Sequence, residues 1–302
     1  MKNKTILFSA LALFAGNLSL SAQTVPNPFR VRLLTDGLVQ PKGIDAALHG
    51  TGAGPMGANI YVAESGLDQM VEIDIHTGAI SLFSATGDFP VGVGCWGGPF
   101  SQYMYVGCAF SGGGIERISV DGIGTPFAMQ GMNVSGLDFG KGPFGPNLYA
   151  GEWQVGNIWQ VDPAGNATLF ASIPGESRYL RSSGGGQFGH YLYVTDFTTG
   201  KIYRIDASGN DSLFADTGVP GLEGLAFGPG GVFGKDLYVG NLSTGEIYRV
   251  AQDGTVTLWA SGFPGVADIL FKPGGAGGFS MYLVDGHSSV YLVSKERRGV
   301  SL

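Results

Sequence analysis

Six short apolar runs each end in a residue that could bind a metal or hold a proton. Glu64 follows IYVA, Cys108 follows MYVG, Glu152 follows LYAG, Asp196 follows LYVT, Asn241 follows LYVG and Asp285 follows MYLV. These positions recur every 44 or 45 residues, so a cyclic repeat would bring them onto one ring. Four carboxylates and an amide on such a ring could hold a hard cation such as calcium, which takes about six to eight oxygen ligands. The same residue types also open solvated turns after strands, and that plainer role is expected for most of the ring.

Aromatic residues stand beside part of this ring. Trp153 follows Glu152, Phe197 follows Asp196, and Phe110 lies just beyond Cys108. Together they would line one side of a mouth as a stacking wall for a ligand, or each would pack on the next loop. His287, near Asp285, is the histidine expected on this face; it could act as a base or be an ordinary turn residue. His49, His76 and His190 map to the opposite face. A deeper layer carries Asp45, Asp138 and Arg181 at positions equivalent to Ala226. Charges at such depth need partners, and Asp138 is expected to pair with Arg181 from the neighbouring unit.

The elements that would position these groups follow from the same period. Tyr61, Tyr105, Tyr149, Tyr193, Tyr238 and Tyr282 mark six copies of one unit. In the fifth copy, Leu225–Phe227, Leu237–Gly240, Glu246–Val250 and Thr255–Ala260 read as strands joined by hairpin turns, with Asp253-Gly254 in the last turn. Four antiparallel strands per unit make a propeller blade. The expected fold is all-β, a six-bladed β-propeller. The sixth copy lacks an outer strand after SSVYLVSKE, and FRVRLLTDGLVQPKGI near the N-terminus parallels GTVTLWASGFPGVADI. Residues 29–35 should therefore close the last blade and remove two open sheet edges.

The first residues read as an export signal. Lys2 and Lys4 precede an interrupted apolar stretch, and small residues Ser21 and Ala22 follow. The expected organisation is a signal peptide over 1–22 and one propeller domain over 23–302, placing the product in the periplasm or outside the cell. A net charge of −7 argues against nucleic acid as a partner. No other segment has the roughly 20 apolar residues needed to span a bilayer. Cys95 and Cys108 fall at opposite ends of adjoining strands in this register, which favours two free thiols over a disulfide.

The sequence has no GxSxG, HExxH or CxxC motif. The repeat core GLAFGPGG…LYVGN…GEIYRV resembles NHL-repeat proteins and the senescence-marker-protein/gluconolactonase-like propellers, over all six units. The resemblance implies a calcium-dependent lactone hydrolase whose ligands are a Glu, an Asn and an Asp just before the glycine opening certain inner strands. The matching positions here are Lys42, Val91, Ser135, Arg178, Glu223 and Ala267. Among these Glu223 has the carboxylate, so a calcium ion would need help from Glu152, Asp196 or Asn241.

Two functions compete on this reading. One is a binding or scaffold module, monomeric, taking a small molecule or an extracytoplasmic protein at the funnel face, with Trp153, Phe197, Phe110 and His287 as ligand contacts. The other is a calcium-dependent hydrolase or lyase of a small sugar lactone or ester. There the metal, held by Glu223, Glu152, Asp196 and Asn241, would polarise the carbonyl.

Overall fold

The strands carrying the repeated tyrosines are buried on both faces; all five residues of Ile60–Glu64 are inaccessible. Strands of this kind need cover on both faces, and here neighbouring sheets supply it. The computed structural model describes residues 23–46, 59–95, 98–100, 102–274 and 278–296. The segment 1–22 read as a signal peptide, and His49, lie outside the described residues.

The chain forms a six-bladed β-propeller of six four-stranded antiparallel sheets. The first five blades run in simple sequence order. In the last, Phe29–Thr35 pairs with Val290–Lys295, so the N-terminal strand is the outer strand of the final blade, as the repeat alignment requires. No helix among the described residues is long and apolar enough to cross a membrane.

Three of the blades are held by the same aromatic device around their tyrosines. Tyr149, Tyr193 and Tyr238 donate their hydroxyls to the carbonyls of Phe144, Phe188 and Phe233, each five residues earlier. Those phenylalanines end one-turn 3-10 helices and meet the tyrosine rings edge-on at 5.5, 5.7 and 6.3 Å. Phe170, Phe214 and Trp259 from the outer strands close on the other side at 5.0, 4.9 and 5.2 Å. Such pairs add about 0.5–1.5 kcal/mol each beyond area burial. Burial raises the tyrosine pKa values, those of Tyr193 and Tyr238 to about 12, so the hydroxyls remain donors.

The six inner strands are sheet edges facing the axis, and their free backbone groups need partners. Side chains of neighbouring blades supply them. Asp45 accepts the Cys95 N–H at 2.8 Å, Asp138 the Ser182 N–H at 2.7 Å, and Asp268 the Ile44 N–H at 3.1 Å. In the other sense Arg181 donates to the Leu137 carbonyl at 3.1 Å and Thr195 to the Glu223 carbonyl at 2.7 Å. The buried charges thus stitch one blade to the next.

This stitching changes one expected pairing. Arg181 does not pair directly with Asp138; its Nη2 faces Asp268 Oδ2 at 3.6 Å. Asp138 is held by the Ser182 N–H and lies 3.9 Å from Lys141 Nζ. Asp268 occupies the register where other inner strands have Gly43, Gly92, Gly136 and Gly224, and it packs against the last of these. A Cβ on Gly224 would lie 2.3 Å from Asp268 Oδ1, and one on Gly136 2.6 Å from Tyr179 Cα. Burial raises the Asp268 pKa to about 7, with Arg181 and two backbone donors opposing. Burial also works against the Arg181 charge, but Asp268, Asp138 and Asp45 outweigh it and its pKa is raised.

Cys95 and Cys108 are buried free thiols. Cys95 stands opposite Met104 while Cys108 stands opposite Pro90, at the far ends of two paired strands.

Candidate functional site at the funnel mouth

The inner strands start on the face where the second strands end, as the pairs Pro41–Glu64, Ser177–Asp196 and Leu222–Asn241 show. Lys42, Arg178 and Glu223 therefore sit together at the mouth, one residue into their strands. Glu223 is 1% exposed and Arg178 7%. Glu223 Oε1 lies 4.0 Å from Lys42 Nζ and 3.9 Å from Arg178 Nε. Burial lowers the Lys42 pKa, with Glu223 opposing and Arg178 reinforcing the shift.

The Arg178 guanidinium is clamped between two rings. Its Cζ is 4.2 Å from the Trp153 ring centre and 4.2 Å from that of Phe197. Desolvated cation–π contacts of this kind are worth about 2 kcal/mol. Trp153 also meets Phe110 at 5.2 Å and Phe89 at 5.4 Å, and those two meet each other at 5.1 Å. Phe110 is 38% exposed and carries φ of +106°; Phe89 has φ of +56°. Non-glycine residues held there cost about 1–3 kcal/mol each, a cost that concentrates at functional sites.

Several polar atoms under this aromatic cover lack a hydrogen bond. Arg178 Nε lies 3.1 Å from Glu176 Oε1, but neither atom completes a hydrogen bond. Arg178 Nη1 and Glu223 Oε2 are likewise buried without a partner. Two cations and two carboxylates balance in charge, leaving both a donor and an acceptor to be satisfied.

The residues expected from the sequence divide sharply. Trp153, Phe197 and Phe110 do come together, but Trp153 and Phe197 face a cation rather than open space. His287 is exposed beyond them and tied into its own turn, its N–H to Asp285 Oδ1 at 2.8 Å. The carboxylate ring serves turns. Glu64 accepts from the Val39 N–H and Gln69, and Glu152 from Asn157 and Trp159. Asp196 accepts from the Glu176 and Thr198 N–H groups, and Asp285 from those of His287, Ser288 and Ser289. Asn241 donates to Pro220 and accepts from Ser243 and Thr244.

Among the described residues no three of His, Cys, Asp and Glu are grouped to share a metal ion. Glu223, Glu152 and Asp196 form no such group, and Lys42 and Arg178 stand beside Glu223 where a cation would lie. The donor set present does not fit calcium.

Sequence reasoning missed Glu176 and Phe89 as parts of the mouth, and it named Arg178 as a position equivalent to metal ligands but not as the partner of the aromatic wall. The available signal was that Arg178 lies one residue into the fourth inner strand, while Trp153 and Phe197 directly follow the second strands of the preceding blade and of its own.

No protein-family model and no curated protein sequence matches this chain. Solved structures share the fold. A gluconolactonase from Xanthomonas campestris superposes with a TM-score of 0.68 at 12% identity, covering 93% of this chain and 94% of that one. Regucalcin from Agrobacterium tumefaciens, described as a calcium-binding protein, gives 0.64 at 16%, covering 90% and 96%. Virginiamycin B lyase from Staphylococcus aureus gives 0.62 at 16%, covering 88% and 98%. At such identities the likeness establishes the architecture and leaves the chemistry to the site.

Proposed function

We propose that this chain is an exported binding module that takes a small neutral polar molecule at the funnel mouth. One observation carries the reading: Arg178 Nη1 and Glu223 Oε2 are a buried donor and a buried acceptor, both unpartnered, beside an exposed aromatic ledge. Leaving such groups unmet costs about 1–3 kcal/mol each, more when charged. A ligand offering both a carbonyl and an N–H or O–H would meet them together, and the balanced charge disfavours ions of either sign. Phe110 and Trp153 would cover its apolar part. The calcium-dependent hydrolase reading is weaker, because two protein cations already neutralise Glu223.

The test is thermal melting and intrinsic tryptophan fluorescence with benzamide, benzoate and benzylamine, and with calcium. Benzamide should raise the melting temperature and perturb the Trp153 emission, and Arg178→Ala should remove both effects. Calcium should leave the melt unchanged. A site saturated at 100 times the dissociation constant gives about 2.7 kcal/mol, so a calcium-dependent rise lost in Glu223→Gln would reverse the ranking.

A further inference from the structure

A second cavity opens on the opposite face. It encloses about 250 Å³ on the axis, room for about eight waters at ~30 Å³ each. Its wall is divided by blade. Blades one, three and four contribute Asp45, Asp138, Lys141 and Arg181, while the last two blades contribute Phe227, Leu270, Phe271 and Phe279. Phe279 is 38% exposed at the rim. Tyr179 and the Arg181–Asp268 pair fill the axis between this well and the funnel mouth. The well is therefore a separate compartment.

The charges in the wall are unequally committed. Arg181 Nη1 donates to the Leu137 and Leu180 carbonyls at 3.1 and 3.2 Å, and its Nη2 faces Asp268. Lys141 Nζ donates to the Ser182 carbonyl at 3.0 Å. Asp138 Oδ2 accepts the Ser182 N–H at 2.7 Å, whereas Oδ1 accepts no hydrogen bond from a described residue. What remains open in the polar wall is a carboxylate oxygen, and facing it is an aromatic wall.

We infer that the axial well binds a small primary amine with an aromatic or aliphatic body. The ammonium meets Asp138, and the body lies against Phe227, Phe271 and Phe279. An ammonium offers three donors to carboxylates, and the enclosed setting makes such charge-assisted bonds stronger than in water. Lys141, with Nζ 3.9 Å from Asp138, is a resident competitor for the same carboxylate.

Calorimetry on the full mature chain at low salt tests this, using 2-phenylethylamine, 2-phenylethanol and 3-phenylpropionate. The amine should bind at least tenfold tighter than either analogue. Lys141→Met should tighten amine binding several-fold. Ala226→Leu, which installs the residue that blade six has as Leu270, should weaken it at least tenfold by filling the well. Asp138→Asn should erase the preference for amine over alcohol. Equal binding of amine and alcohol would overturn the proposal. So would a carboxylate preference weakened by Lys141→Met, or amine binding indifferent to Ala226→Leu. Should Asp138→Asn fail to fold, the Lys141 and Ala226 variants still decide. Arg178→Ala, at the other mouth, should leave amine binding intact, separating failure here from failure of the funnel-face reading.

Discussion

The Tyr179 hydroxyl donates to the Val91 carbonyl at 3.1 Å, a bond from the fourth blade to the second that passes over the third. Gly136, at the equivalent position of the third blade, makes room for the ring: a Cβ there would lie 3.0 Å from Tyr179 Cγ. The side chain therefore serves as plug and tie at once. Burial pushes its pKa well above the usual tyrosine value, so it stays a donor throughout the working range of pH.

Tyr179→Phe should keep the plug and lose the tie. The stranded Val91 carbonyl is expected to cost about 1–3 kcal/mol, a fall in melting temperature of roughly 2–4 °C per kcal/mol in a domain of this size class. Tyr179→Ala should cost more, about 3–5 kcal/mol by analogy with other large aromatic truncations. A Phe variant within ~0.5 kcal/mol of the parent, the range of surface substitutions, would show that the carbonyl has another donor.

Arg178 and Glu223 should be energetically coupled. Arg178→Ala leaves Glu223 buried with Lys42, 4.0 Å away, as its remaining cation among the described residues, and stranding a buried charge costs about 3–5 kcal/mol. Adding Glu223→Gln should recover part of that loss. Urea titrations of the two single variants and the double variant measure the coupling. Additivity within about 0.3–0.5 kcal/mol would mean the two side chains act independently.

The period of the tyrosines was enough to count the blades, and the likeness of FRVRLLTDGL to GTVTLWASGF was enough to close them. Both are local patterns repeated by the chain itself. The partner of Arg181 was not legible in that way. Asp138 stands at the same register as Arg181 in the next blade, yet the Ser182 N–H occupies it, and Asp268 reaches in from two blades away. Which side chain meets which across the axis depends on the free backbone groups of the inner edges, and these appear only when the ring is built. The aromatic wall was legible as a set of residues. Its occupant was not, because Arg178 enters from an inner strand rather than from the loops that hold the rings.

Asp268 should make stability fall as pH rises. In the fold it keeps its proton up to about pH 7, whereas an unfolded aspartic acid loses it near ~3.9. The native state then binds more protons between those values, so this group's contribution is full below about pH 4 and is lost progressively to pH 7. At about 1.4 kcal/mol per pKa unit the whole effect is on the order of 4 kcal/mol. Asp268→Asn should flatten the decline in unfolding free energy between pH 4 and pH 8. A variant that retains the full slope would place the titration elsewhere.

The N-terminal strand should be held by its phenylalanine rather than by its ion pair. Phe29 is 4% exposed, and its ring lies 4.7 Å from Phe233 and 5.3 Å from Trp259. Arg30 meets Glu296 at 2.6 Å, but the two side chains are 62% and 47% exposed. Exposed pairs contribute about 0–1 kcal/mol, while emptying a buried phenylalanine site costs about 3–5 kcal/mol. Phe29→Ala should thus lower the melting temperature markedly and Arg30→Ala hardly at all. Removing residues 23–36 goes further, because it uncovers the edge of Val290–Lys295 along its whole length. Such an edge templates further pairing, so the truncated chain should aggregate or melt without cooperativity. A soluble truncated protein with a sharp melt would mean that the last blade stands on three strands and that the N-terminal closure is dispensable.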